Sequence, residues 1–250
     1  MKALFVLLAA FIFIIPQSAS AAVWSAPFEV SGWIPYWRSA TGTQEFLNHI
    51  DTFKEINPFG YTVKEDGRLY DAAQISVEPW TTVRALAKQK NIRYIPTVMW
   101  SDPDQIHAVL SDPTLRAQHI AMIVDEVNAN DFDGIDIDYE GKYAKTRPYF
   151  SQFLKELYAA MGKKWVQCTI ESRTPLSSRY ETPEDIPKDL EYANDFAAIN
   201  KYCDRVRFMT YDQQTVDVKR GGEADAQKQV YGPVSDVVWV EKAIREAMKT

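Results

Sequence analysis

Histidine and cysteine are scarce in this sequence: 250 residues hold three His and two Cys. His49, His107 and His119 are scattered, and no C-x-x-C or H-E-x-x-H occurs. The ligand spacings of zinc sites are therefore missing, and no metal or cofactor is expected. No Gly-rich dinucleotide fingerprint supports an open nucleotide-binding sheet. Basic residues form no stripe, and 34 acids face 28 bases. That balance argues against nucleic acid as a partner and against holding an anionic surface by charge alone. Beyond the first 22 residues no apolar run is long enough to span a bilayer. Internal repeats and low-complexity segments are absent as well.

What is present is an ordinary globular composition, 46% hydrophobic and 25% charged, which can build a core and speaks against disorder. The first 22 residues stand apart. Lys2 precedes an apolar run from Ala3 to Ile15, followed by "PQSASAA" with Ala19 and Ala21 as small residues. This is the pattern of a cleaved signal peptide, and the run is too short for a membrane span. No Cys follows it, so a lipid anchor is not indicated. A secreted or cell-envelope location is expected, with residues 23–250 as one domain and a monomer as the assembly. Without residues 1–22 the chain has 34 acids against 27 bases, a net charge of −7. An exported chain permits a bridge between Cys168 and Cys203, but both sit near strand-like runs and fit buried thiols equally well.

Strand-like runs recur, each followed by a helix-like stretch. Phe28–Trp37 precedes 44–50, Phe53–Val63 precedes 76–90, and Ile92–Trp100 precedes 111–128. Ser111, Asp112 and Pro113 read as the start of that third helix. The acidic run at 132–140 precedes 147–163, Trp165–Ser172 precedes 188–201, and Val206–Asp212 precedes a helix from about Ser235. Alternating units of this kind imply a parallel sheet with helices outside. Their spacing fits an α/β fold of the (β/α)8 TIM-barrel type. Six units are two short of closure, and the expectation is a C-terminally incomplete barrel.

The fourth run, "FDGIDIDYEG", places Asp133, Asp136, Asp138 and Glu140 within eight residues. In a strand, side chains alternate faces. Ile135, Ile137 and Tyr139 then face the helices, while Asp136, Asp138 and Glu140 face the barrel interior, successive acids about 7 Å apart. At that distance like charges repel by roughly 2.4 kcal/mol at an effective dielectric near 20. At least one proton should be retained at neutral pH, which suits general-acid work. Glu140 falls at the carboxyl end of the strand, where such barrels keep their active sites. The acids at 136, 138 and 140 with Gly141 also echo a calcium loop, but Arg147 stands where that loop needs a bidentate Glu.

Asp133-x-x-Asp136-x-Asp138-x-Glu140 resembles the D-x-x-D-x-D-x-E signature of glycoside hydrolase family 18, which includes chitinases and N-acetylglucosaminidases. "FMTYD", Phe208 to Asp212, is similar to the family's sixth-strand M-x-Y-D motif. "INPFGYTVKEDGRLY" resembles a bacterial branch with spore-germination-type hydrolases. The resemblance runs from about Val30 to Thr250. It implies a retaining, substrate-assisted glycosidase, an exception to the usual two-carboxylate scheme, acting on β-1,4-linked N-acetylglucosamine polymers such as chitin or peptidoglycan glycan. Glu140 would protonate the glycosidic oxygen, Asp138 would orient the substrate's acetamide, Asp136 would share a proton with Asp138, and Tyr211 would bond the acetamide oxygen. Asp133 reads as structural. The family's Ser-x-Gly-Gly pattern is absent from "PTVMWSD".

Sugars stack on aromatic rings, so aromatics at strand ends are candidates for substrate binding: Tyr36, Trp37, Tyr61 and Trp100. Met209 and Asp212 follow from the motif, and Glu171 and Gln213 from their place just past strands. Arg173 is placed to meet an acid or a sugar hydroxyl. Trp24, Trp80, Trp165 and Trp239 read as packing. The rival function is a glycan-binding protein without hydrolysis; such relatives usually lose the acid or its partner, and this sequence keeps both.

Overall fold

A computed structural model describes residues 28–218 and 233–249. The leader expected at residues 1–22, and Trp24, lie outside the described residues. In chain order the elements are β1 (Ser31–Pro35), α1 (Ser39–Asn48), β2 (Glu55–Val63), β3 (Leu69–Asp71), α2 (Trp80–Gln89), β4 (Arg93–Tyr94), β5 (Thr97–Trp100), α3 (Pro103–Ser111) and α4 (Pro113–Ala129). They continue with β6 (Gly134–Tyr139), α5 (Arg147–Met161), β7 (Trp165–Glu171), α6 (Leu176–Arg179), α7 (Phe196–Tyr202), β8 (Arg205–Met209), α8 (Gln213–Val216) and α9 (Val237–Ala247).

The main sheet has the order β1-β2-β5-β6-β7-β8, parallel throughout. This is the parallel α/β arrangement expected from the six units, and it curls into a half-barrel. The curl is visible in side-chain reach. β2 and β8 are four strand spacings apart, about 19 Å in a flat sheet. Yet Arg207 of β8 donates to Asn57 of β2 at 2.5 Å, and Asn57 donates to Gln167 of β7 at 3.3 Å. Polar side chains thus fill the concave side. The convex side is apolar: Ile135, Ile137, Phe150, Phe153, Leu154 and Leu157 share one buried cluster. Gly134 permits the close approach of β6 and β7, since a Cβ there would lie 2.3 Å from the Trp165 carbonyl oxygen.

Several boundaries depart from the sequence expectation, each for a local reason. The third strand is interrupted between β4 and β5 at Pro96, which lacks a donor for the ladder. An extra helix, α3, precedes α4. Asp102 caps Asp104 and Gln105 at 3.0 Å, just as Asp112 caps Thr114 and Leu115. Both starts are the same Asp-Pro signal. The helix expected over 188–201 is only α7, because Asp195 is its cap. β3 returns antiparallel on β2 through a turn with Gly67 at φ +78, a conformation that favours glycine. Cys168 and Cys203, which the sequence left open between bridge and thiols, are joined in a disulfide that ties β7 to the segment entering β8.

Candidate active site

The acidic strand is β6, and it is buried on both faces. On the convex face Tyr139 stacks on Phe153 with ring centres 5.5 Å apart and bonds the His119 Nε2. His119 Nδ1 lies 2.6 Å from the Gly67 carbonyl. A carbonyl can only accept, so Nδ1 carries the proton and Nε2 accepts from the Tyr139 hydroxyl. Burial pushes the His119 pKa down to about 4, which keeps the ring neutral.

On the concave face Asp136 is fully enclosed. It accepts from Thr97 Oγ1 at 2.8 Å and Thr169 Oγ1 at 2.9 Å, and meets Arg207 at 3.5 Å. Burial pushes its carboxyl up while Arg207 pulls it down. No hydrogen bond joins Asp136 to Asp138 among the described residues, since the Asp136 oxygens are turned to the two threonines and Arg207. Asp138 lies one step nearer the carboxyl end of the strand and is 3% exposed. Its Oδ1 is buried with no hydrogen-bond partner. Burial, then the charges of Glu140 and Asp136, push its pKa up to about 8. A buried acceptor without a donor is costly in a folded protein, which makes this atom a candidate to accept from a bound ligand.

Asp138 opens on a cavity of about 260 Å³ between β1 and β8, lined by Trp33, Thr169, Arg207, Met209 and Tyr211 among others. Tyr211 is 51% exposed. Burial and the charges of Asp138, Glu140 and Asp212 push its pKa to about 12, so it is a neutral donor at ordinary pH. Glu140 caps the strand and is half-buried. Burial and then the Glu171 charge push its carboxyl up, against Lys142. Glu171 accepts from the Gly141 amide at 2.9 Å and lies 3.8 Å from Lys142 Nζ. The four residues expected to carry chemistry, Asp136, Asp138, Glu140 and Tyr211, therefore stand at one end of the arc, with Glu171 and Met209 beside them. Asp133 starts the strand and accepts from the Tyr94 amide at 2.7 Å, the structural role expected of it. The acidic run forms a strand, not the helix-flanked loop a calcium site of that pattern needs.

Other candidates fall elsewhere. Tyr36 and Trp37 follow β1 and, with Trp33, form an exposed aromatic group packed over the buried Phe59. Tyr61 is turned away: it is buried in the convex layer and donates to Glu126 of α4 at 2.8 Å. Phe59 and Tyr61 would share a face in a regular strand, but the pairing register shifts between them. Trp100 packs edge-on against Tyr139 in the same outer layer, because it alternates with Thr97 and Met99. Gln213 is a buried strut that accepts from the Asp236 amide at 2.7 Å, and Asp212 forms the left-handed turn before α8.

Three residues escape sequence reading. Trp33 donates to Thr97 Oγ1 at 3.2 Å and walls the cavity; its alternation with the core residue Ile34 is the signal that could find it. Lys142 folds back under the turn, its ammonium enclosed against the Tyr139 carbonyl and 4.7 Å from the Phe150 ring centre. Arg207 crosses the arc to Glu55, Asn57 and Asp136. Nothing local marks either of the last two.

Comparison with known proteins agrees with this geometry. A family model described as glycosyl hydrolases family 18 matches residues 32–250. An uncharacterized glycosylase, YvbX, of Bacillus subtilis is 25% identical over 170 residues, 65% of this chain and 44% of that protein. Among solved structures, a chitinase from Chromobacterium violaceum superposes with a TM-score of 0.66 at 17% identity, covering 89% of this chain and 65% of the other. The spore cortex-lytic enzyme SleL of Bacillus megaterium gives 0.67 at 17% identity, covering 89% and 48%. At such identity the structures share the fold alone. The chain spans less than two thirds of the length of each of these relatives.

Proposed function

The chain belongs to glycosyl hydrolases family 18, and on that premise we propose that it cleaves β-1,4-linked N-acetylglucosamine polymers, chitin or peptidoglycan glycan, with retention and with help from the substrate. The observation that carries the reading is the pairing of an unpartnered, buried Asp138 Oδ1 with Glu140 at the strand end, a carboxyl that burial and the Glu171 charge push up. Glu140 gives its proton to the glycosidic oxygen as the bond to the anomeric carbon breaks. The substrate's own acetamide oxygen attacks that carbon, forming an oxazolinium ion. Asp138 Oδ1 accepts the acetamide N–H and Tyr211 donates to the acetamide oxygen. Water then opens the ring while the Glu140 carboxylate takes its proton. The cavity beside Asp138 supports a place for the acetamide, and the Tyr36–Trp37–Trp33 group supports stacking of further sugars. The leader read at residues 1–22 supports a substrate outside the cytoplasm.

The test is turnover of chito-oligosaccharides and of purified peptidoglycan glycan. Glu140→Gln is expected to lower kcat about 10²- to 10⁴-fold, the worth of a positioned acid, with glycan binding retained. A variant that keeps most of the rate refutes the assignment of the acid. Tight glycan binding without any wild-type turnover would instead make the protein a glycan binder.

A further inference from the structure

A second and larger cavity, of about 560 Å³, lies on the other flank of Glu140, between the end of β7 and α6 to α8. Lys142 and Glu171 form the wall it shares with the acidic site. Arg173, Tyr192 and Asn194 line it further on, with the exposed Arg179 at its edge. Arg173 follows β7 by two residues. Its guanidinium lies 3.7 Å from the Tyr192 ring centre and 4.5 Å from that of Phe196, so two rings hold it in place. Among the described residues it makes one hydrogen bond, from Nη2 to the Asn194 carbonyl at 3.3 Å. Neither Arg173 nor Arg179 forms an ion pair among the described residues. Arg93, Arg116, Arg205 and Arg207 each hold a carboxylate. Glu191 also lines the cavity but pairs with neither arginine, and Glu171 is already engaged by Lys142 and the Gly141 amide.

Asn194 adds an independent observation. It is 9% exposed, and its side-chain oxygen has no hydrogen-bond partner. A partly buried guanidinium with open donors calls for an anion, and its planar fork matches a carboxylate. A buried, unpaired acceptor beside it calls for a hydroxyl. Together they describe a sugar that carries an acid.

We propose that this cavity is a subsite for a carboxylate-bearing sugar, gripped by Arg173 and Arg179 with Asn194 Oδ1 accepting from a sugar hydroxyl. The glycan presented to Glu140 is then acidic, with the charged sugar next to the scissile bond. The position of the subsite relative to that bond rests on the glycosidase reading; the recognition of a carboxylate does not.

The test therefore begins with binding. Glu140→Gln protein is titrated calorimetrically with an N-acetylglucosamine tetramer, and with a tetramer whose alternate sugars carry an O3-lactyl carboxylate. The amide of that second tetramer and a 6-O-phosphorylated neutral tetramer are the other probes. The carboxylated glycan is expected to bind about tenfold or more tightly than the neutral one and than the amide, the scale of a charge-assisted hydrogen bond. Arg173→Lys and Arg179→Gln, each added to Glu140→Gln, should bring that ratio toward one. Should Arg173→Lys fail to fold, Arg179→Gln carries the same comparison. Equal affinities, or a ratio that survives both substitutions, overturn the proposal. Phosphate bound as tightly as carboxylate overturns the carboxylate assignment. Wild-type turnover is read separately: its absence on every glycan sinks the glycosidase reading, while the affinity ratio still decides the subsite.

Discussion

The two ends of the curled sheet hold their charges in opposite ways. At the amino ends of the strands, Glu55 is wholly buried and fully partnered. It accepts from Arg93 Nε at 2.9 Å, Gln167 Nε2 at 2.7 Å and Arg205 Nη1 at 3.3 Å, and also from Arg207. Glu29 joins two of these arginines, Arg93 and Arg205, each at 2.5 Å, and they hold its carboxyl below the usual range. Arg93 and Arg205 also lie over the Trp165 ring. At the carboxyl ends, Asp138, Glu140 and Glu171 share one buried cation, Lys142. Acids are in excess there, and Asp138 and Glu140 are pushed up. A satisfied network rigidifies a core. An acid-rich pocket in low dielectric keeps protons available. Barrels of this class divide stability and chemistry between the same two ends.

Substitutions can break this comparison. Glu55→Gln should be the most damaging to stability, because it leaves three arginines without their shared buried carboxylate. The expected loss is about 3–5 kcal/mol of unfolding free energy, read from the denaturant midpoint; a loss below about 1 kcal/mol would erase the distinction between the ends. Asp138→Asn should act with the other sign. The folded-state pKa of about 8 stands above an unfolded value near 3.9, so the folded protein binds the extra proton. Wild-type stability should fall as pH rises from about 4 to 8, by at most about 1.4 kcal/mol per pH unit. The Asn variant should lose that part of the slope, and an unchanged slope in unfolding free energy measured at pH 5 and pH 8 would refute the assignment.

Lys142→Met tests the buried cation among these acids. Lys142 opposes the upward push on both Glu140 and Asp138. Without it Glu140 should keep its proton to higher pH, moving the basic limb of the kcat/KM profile upward. A limb that stays or moves down would show that Lys142 does not set the charge of the acid. The smallest effect is expected at Tyr61→Phe, which removes the hydrogen bond to Glu126 at a cost of about 1 kcal/mol. KM for any glycan should be unaffected, and a raised KM would place the convex layer in contact with substrate after all.

Much of the site was legible because β6 follows a strict period of two. Asp136, Asp138 and Glu140 had to share a face once the segment was a strand, and Tyr211 came with the M-x-Y-D pattern. The aromatics were harder. Trp100 stands at a strand end, the place of a sugar contact, but alternation from Thr97 turns it outward. Tyr61 could not be assigned that way, because the register shift beside it reverses the face. Gln213 read as a sugar contact by proximity to the motif, and its distant partner, the Asp236 amide, is 23 residues away.

The sequence by itself determined the order of strands and helices, their parallel arrangement, the family signature and the face on which the acids lie. These follow from periodicity, caps and spacing, which act over a few residues. Only the tertiary structure decided which acids are neutralised. Arg207 reaches Glu55 from 152 positions away in the chain, and Lys142 folds back beneath its own strand. It also decided that Cys168 and Cys203 meet, and that Arg173 sits between two rings with no ion pair among the described residues. Charge pairing depends on distance and burial in three dimensions, and neither is written in local spacing. The proton on Asp138 and the open guanidinium of Arg173 are consequences of the curl, which brings distant strand ends together and closes water out between them.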